Sequence, residues 1–209
     1  MMVEFNIERI LEELSINRPV FHNEADFQFA LAWEIQKHHK DFEIRLEYKV
    51  PGFDKLYTDI WIKEPTPIAI ELKYKTVSTI LEINKESFEL KPQRAQITGR
   101  YDVLKDLQRI EDIVSMYPNT IGYVILLTND HLYWDKPRKE NSVDRAFKIH
   151  DGQYIHGTLS WSNEAGVGTV KNRESNLRIN GRYNTKWKHF SKIEHKSGEF
   201  RNLCFKVTS

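Results

Sequence analysis

One cysteine, Cys204, stands among 209 residues, so no intramolecular disulfide can form and no thiol pair is present to hold zinc. Long apolar runs are missing too. None approaches the roughly 20 residues that a membrane helix needs, and no N-terminal stretch reads as a signal peptide. A cytoplasmic chain that crosses no membrane is the expectation. No Gly-rich phosphate loop is found, so an ATP-driven motor would have to be a separate chain. The eight histidines show no zinc-like pairing. Repeats and low-complexity tracts are lacking. A 40% hydrophobic and 12% aromatic content is enough for a sizeable core.

The net charge of +1 hides an asymmetry. Residues 136–209 carry 15 Lys/Arg against 7 Asp/Glu, whereas residues 1–135 carry 16 against 23. A basic surface attracts phosphate backbones and an acidic one can hold cations, although either can simply be solvated.

Hydrophobic spacing predicts a helix at 7–16 and a second from 23 to 40, with Asn23 as its cap and Asp26 in its first turn. Three strands follow, at 42–50, 56–63 and 67–76. Pro51-Gly52 separates the first two and Glu64-Pro65-Thr66-Pro67 the second pair, which predicts an antiparallel meander. After a polar connector, Ile97, Tyr101, Leu104, Leu107, Ile110 and Val114 define a long helix over 93–116. "TIGYVILLTND" then reads as an interior strand. One domain over 1–209 is expected, with a core at 1–140. Residues 141–209 read as a β-rich basic extension packed on that core, with a short helix near "VDRAFKI".

The third strand, "PIAIELKYKT", carries the informative chemistry. Ile68, Ile70, Leu72 and Tyr74 point one way, and Glu71, Lys73 and Lys75 the other. Glu-x-Lys alone means little, for it recurs at Glu47-Lys49, Glu89-Lys91 and Glu194-Lys196. A hairpin about Pro65, however, sets Asp59 opposite Glu71, and facing like charges destabilise a sheet unless something compensates. A divalent cation and the Lys73 ammonium are the natural compensators. The alternative is a partly solvated sheet face bearing a Lys-Glu pair.

A helix, a strand with Asp59, an apolar strand with Glu71-x-Lys73, a helix and a buried strand together resemble the PD-(D/E)XK nuclease superfamily. The resemblance covers about residues 20–130, and departs from the family in having Thr58 rather than proline before Asp59. It implies an α/β restriction-endonuclease-like core: a mixed central sheet flanked by helices in the order helix-strand-strand-strand-helix-strand. Catalytic roles would fall to Asp59, Glu71 and Lys73. Asp59 and Glu71, with Glu24 from the preceding helix, would hold Mg²⁺, with Mn²⁺ as a substitute. Glu24 is equally explained by the helix dipole. The long helix is similar to that of the exonuclease branch, which suggests substrate contacts by Gln96, Arg100 and Tyr101, although Gln96 and Tyr101 are five apart instead of four. Lys75 could touch a phosphate backbone.

The expected function is a Mg²⁺-dependent deoxyribonuclease of restriction or repair type, with DNA as partner and a homodimer as a plausible assembly for cutting both strands. The alternatives are a non-catalytic nucleic-acid- or protein-binding module on the same fold, and a hydrolase of another substrate. Trp161, Tyr183 and Trp187, interleaved with Arg178, Arg182, Lys186 and Lys188, could stack on bases or fill a core.

Overall fold

The computed structural model describes residues 5–63, 66–93 and 95–209; the turn expected about Pro65 lies outside them. Helices α1 (Ile7–Asn17) and α2 (Glu24–His38) open the chain. Each is started by an asparagine: Asn6 Oδ1 accepts from the Arg9 N–H, and Asn23 Oδ1 from the Asp26 N–H. These bonds satisfy donors that a helix N-terminus otherwise leaves unpaired.

Strands β1 (Ile44–Lys49), β2 (Tyr57–Ile62) and β3 (Ile68–Lys75) form the antiparallel meander. A hairpin follows, β4 (Thr79–Ile83) and β5 (Glu86–Leu90), then α3 (Gln96–Met116) and β6 (Ile121–Thr128). β6 lies parallel to β3 along the whole length of both strands. The chain continues through β7 (Tyr154–Leu159), the short α4 (Val167–Val170), β8 (Leu177–Asn184), β9 (Trp187–Lys192) and β10 (Glu199–Val207). The result is an α/β protein whose mixed six-stranded sheet has the order β1-β2-β3-β6-β10-β9.

Two cores sandwich this sheet. Ile68, Ile70, Leu72 and Tyr74 pack with Phe27, Leu31 and Ile35 of α2 on one face. Ala69 and Trp61 pack with Leu104, Leu107 and Ile110 of α3 on the other. The period-two pattern of β3 thus assigns its charged residues to the α3 side. Gly122 of β6 lets that helix lie close, because a Cβ there would collide with the Ile110 side chain.

Three sequence expectations need correction. The "polar connector" contains the β4–β5 hairpin, whose turn residues Asn84 and Lys85 sit at φ 50° and 70°. That is a left-handed turn made without the usual glycine signal. Residues 141–209 are not an addition outside the core, since β10 pairs with β6 and β9 with β10. Their alternation is real, but the partner of a strand is a long-range fact. The helix near "VDRAFKI" is a single 3₁₀ turn at Arg145–Phe147. Among the described residues no helix is long and apolar enough to cross a membrane.

Candidate active site

The central sheet forks between β2 and β3. Ile60, Trp61 and Ile62 pair with Ile70, Ala69 and Ile68, the register that a hairpin about Pro65 requires, but the ladder ends there, so the expected facing pair of Asp59 and Glu71 is not formed. β2 then stays with β1 through Tyr57, while β3 runs on beside β6 to Lys75. On its β2 side, β3 therefore presents N–H groups with no strand to receive them, and carboxylates fill that role. Asp59 Oδ2 accepts from Leu72 N–H at 2.6 Å, and Glu24 Oε2 accepts from Tyr74 N–H at 2.8 Å. An unpaired backbone donor in this setting would carry a desolvation penalty.

Glu71 and Lys73 project from the same stretch toward α3. Glu71 is buried, only 3% exposed. The Lys73 ammonium bonds the Leu72 carbonyl at 3.0 Å and pairs with Asp106 Oδ2 of α3 at 2.8 Å. Arg109, one turn further along α3, spans the group: it reaches Asp106 Oδ1 at 2.9 Å, Glu71 Oε1 at 3.1 Å and the Tyr57 carbonyl at 2.7 Å. Its contact with Glu71 is too poorly aligned for a hydrogen bond, so Glu71 Oε1 is buried without one.

Burial and crowding with like charges dominate the electrostatics. Burial pushes the Asp59 carboxyl up to about 6; the Leu72 N–H and Lys73 oppose that rise, and Glu24 and Glu47 add to it. Burial, followed by Asp106 and Asp59, holds Glu71 well above the ordinary carboxylate range, against the pull of Arg109 and Lys73. For Lys73, burial works to lower the ammonium, but Asp106, Glu24 and Glu71 outweigh it and keep it above its usual range. Lys73 is therefore a fixed cation at neutral pH.

The fork recruits residues that the sequence did not single out. Glu47, which the Glu-x-Lys tripeptide alone does not distinguish, is exposed, yet it adopts φ 48° in β1, a conformation non-glycine residues rarely take and one that clusters at functional sites. Gln28 of α2 ties it to the fork by donating to Glu47 Oε1 at 2.9 Å and to the Asp59 carbonyl at 2.7 Å. Asp106 and Arg109 were invisible because a helix period assigns them a face, not a neighbour.

The expected substrate contacts disperse. Arg100 stands nine residues before Arg109, about two and a half turns, and so faces the opposite side of α3. It is buried, donates from Nε and Nη2 to Asp144 and from Nη1 to the Leu132 carbonyl. Tyr101 is 1% exposed, bonds the Ser175 carbonyl and stacks on Trp161. Gln96 donates to Asp130, and Lys75 to Gln93. The aromatic residues of the C-terminal segment are structural: Trp161 and Trp187 donate to backbone carbonyls and Tyr183 to Glu111.

Oxygen donors at the fork suit a hard divalent cation. Glu24, Glu47, Asp59, Glu71 and Asp106 outnumber Lys73 and Arg109 by five to two, and a bound cation would relieve both that surplus and the unbonded Glu71 Oε1. Their ligand atoms are nevertheless not drawn tightly together. Among the described residues the one acid and histidine trio within 4.8 Å is Glu13, Glu34 and His38. That trio joins α1 to α2 and is already met by Arg9 on Glu13 and Lys37 on Glu34. Compared with family models, with curated proteins and with solved structures, the chain matches none of them.

Proposed function

We propose that this chain is a metal-dependent nuclease that hydrolyses DNA phosphodiester bonds on the PD-(D/E)XK plan, with a restriction-endonuclease-like core formed by α2, β1, β2, β3, α3 and β6. The observation that carries this reading is the fork, where the Lys73 ammonium stands among carboxylates that outnumber the cations, with Asp59 and Glu71 both held above the ordinary carboxylate range. Asp59 and Glu71, with Glu24 beside them, would hold Mg²⁺ or Mn²⁺. When bound, the ion would neutralise charge on the phosphate and acidify water. Lys73 stays protonated, so its part is to place a positive charge where negative charge grows, rather than to take a proton. Asp106 fixes the direction of that ammonium. Since a cation needs both carboxylates ionised, and Asp59 is raised to about 6 and Glu71 well above its ordinary range, cleavage should weaken as the pH falls and be lost below about pH 6.

The test uses labelled single-stranded, duplex and plasmid DNA with Mg²⁺, Mn²⁺ or EDTA. Wild type should cut only with metal, and Asp59→Asn or Glu71→Gln should lose roughly a thousandfold in rate, equivalent to about 4 kcal/mol of barrier. A second reading is supported by Arg109, whose guanidinium already sits against Glu71 in a cation's place: a non-catalytic module that binds nucleic acid. DNA binding with no cut under any metal condition selects that reading and removes the first.

A further inference from the structure

Behind the α3 N-terminus lies a pocket of about 450 Å³, lined by Gln96, Arg100, Tyr133, Lys148, His150 and the 135–139 loop. Two of these residues, Arg100 and Lys148, share one acid beneath the lining. Asp144, whose side chain is 1% exposed, receives Arg100 at 2.6 Å and Lys148 at 3.0 Å, and these two cations are 8% and 13% exposed. One carboxylate thus answers two cations, Arg100 buried and Lys148 half-buried, while the buried Asp130, bonded by Gln96 of the lining, is a second acid acting on Tyr133 beside Arg100. Burial, together with Arg100 beside it, holds the Lys148 ammonium below its ordinary range even though Asp144 opposes the shift.

The remaining polar groups point to the same ligand sign. The Tyr133 hydroxyl, on a residue 1% exposed, has no hydrogen-bond partner, and neither has the buried His150 Nδ1. The rim carries Lys136, Arg138 and Lys139, none of which has a carboxylate partner among the described residues. The one acid in the lining besides these, Asp135, is taken by His131 at 2.9 Å. A cavity rimmed by three cations without carboxylate partners calls for an anion.

The surroundings narrow that anion. The volume exceeds what a bare phosphate fills and falls in the range of ordinary ligand pockets. A second depression, lined by Lys75, Lys91, Ala95 and Tyr133, adjoins it. Tyr133 borders both, and Lys75 is two residues beyond Lys73 on β3. A basic path therefore connects the fork with the pocket. We infer that the pocket binds a phosphate group of a nucleic-acid strand whose backbone follows this path, a conclusion that rests on the nuclease reading for the choice of strand and on the pocket itself for the phosphate.

Binding is tested without cleavage, by fluorescence anisotropy of a short labelled single-stranded DNA in EDTA across a salt series. Wild type is compared with K136A/R138A/K139A, all exposed and dispensable for folding, and with Lys148→Met, checked for folding by circular dichroism. Both variants should bind about tenfold or more weakly. The triple variant should also lower the log–log salt slope by about 2, three contacts at roughly 0.7 each for single strands. Asp59→Asn should not weaken binding. Unchanged affinity and slope in the folded triple variant would overturn the inference. So would thermal stabilisation by inorganic phosphate in a protein that ignores the oligonucleotide, which assigns the pocket to a small ligand. Cleavage that depends on Asp59 beside unchanged binding sinks only the pocket. Pocket-dependent binding with no cleavage under any metal condition sinks only the nuclease.

Discussion

At the fork, five carboxylates among the described residues face two cations, whereas behind α3 the buried Arg100 and half-buried Lys148 of the pocket lining share the carboxylate of Asp144. Both clusters sit against α3, and in each one sign of charge outnumbers the other: Glu71, Asp106, Arg100 and Asp144 are buried, Glu24, Asp59 and Lys148 are half-buried, and Glu47 is exposed. Two other groups of acids among the described residues are met by donors. Glu111 accepts from the Asn180 and Gly181 N–H groups and from the Tyr183 hydroxyl, which docks β8 on α3. Glu13, Glu34 and His38 are matched by Arg9 and Lys37. A balanced cluster is sufficient as architecture. An imbalance in a desolvated place costs stability, and a ligand of opposite sign is what restores it.

The comparison can be broken by experiment, beginning where the effect is largest. Asp144→Ala leaves Arg100 and Lys148 buried without a counter-charge and should cost about 3–5 kcal/mol, read by calorimetry as a melting point lower by roughly 10 °C. An unchanged melting point would mean that the triad is hydrated and that the pocket has no stored positive charge.

The fork should respond in the opposite direction. The Asp59 carboxyl is raised from 3.8 to about 6 in the folded chain, so between those values the native state holds a proton that the unfolded state has released. Wild-type stability must then fall as pH rises through that window, and the penalty persists above it. Asp59→Asn removes the penalty while keeping an acceptor for the Leu72 N–H. It should stabilise the protein at pH 8 by about 3 kcal/mol and have little effect at pH 4, as measured by urea unfolding at the two pH values. A loss of stability at pH 8 would show that the carboxylate is part of the scaffold and not a strained ligand.

The smallest effect sharpens the contrast. Arg9 and Glu13 form an i,i+4 pair with side chains 66% and 32% exposed. Arg9→Ala should change stability by under about 1 kcal/mol and leave DNA binding untouched. A larger change would remove the distinction between balanced and unbalanced clusters.

Much of the fork was legible in the one-dimensional pattern. The meander, the partner register of β2 and β3, and the projection of Glu71 and Lys73 away from the Ile68–Tyr74 face follow from short loops and a period of two. Asn23 capped its helix as its residue type demands. Arg100 and Tyr101 show the limit: helical spacing placed them on a stripe, but packing turned that stripe toward Asp144 and Trp161. Glu47 shows another, because its role depends on a positive φ and on Gln28 from a different element.

By itself the sequence determined what lies within a strand or one hairpin: the helices with asparagine caps, the alternation of β3, and an acidic stretch followed by a basic one. Those features depend on local sterics and on residue periods, which operate over a few positions. Only the tertiary structure decided that β10 would close onto β6, that Asp106 and Arg109 would reach the charged strand, and that Arg100 and Lys148 would converge on Asp144. These contacts join residues far apart in the chain, and their energies depend on burial and on the summed charge of a neighbourhood, which exist only once the chain has folded.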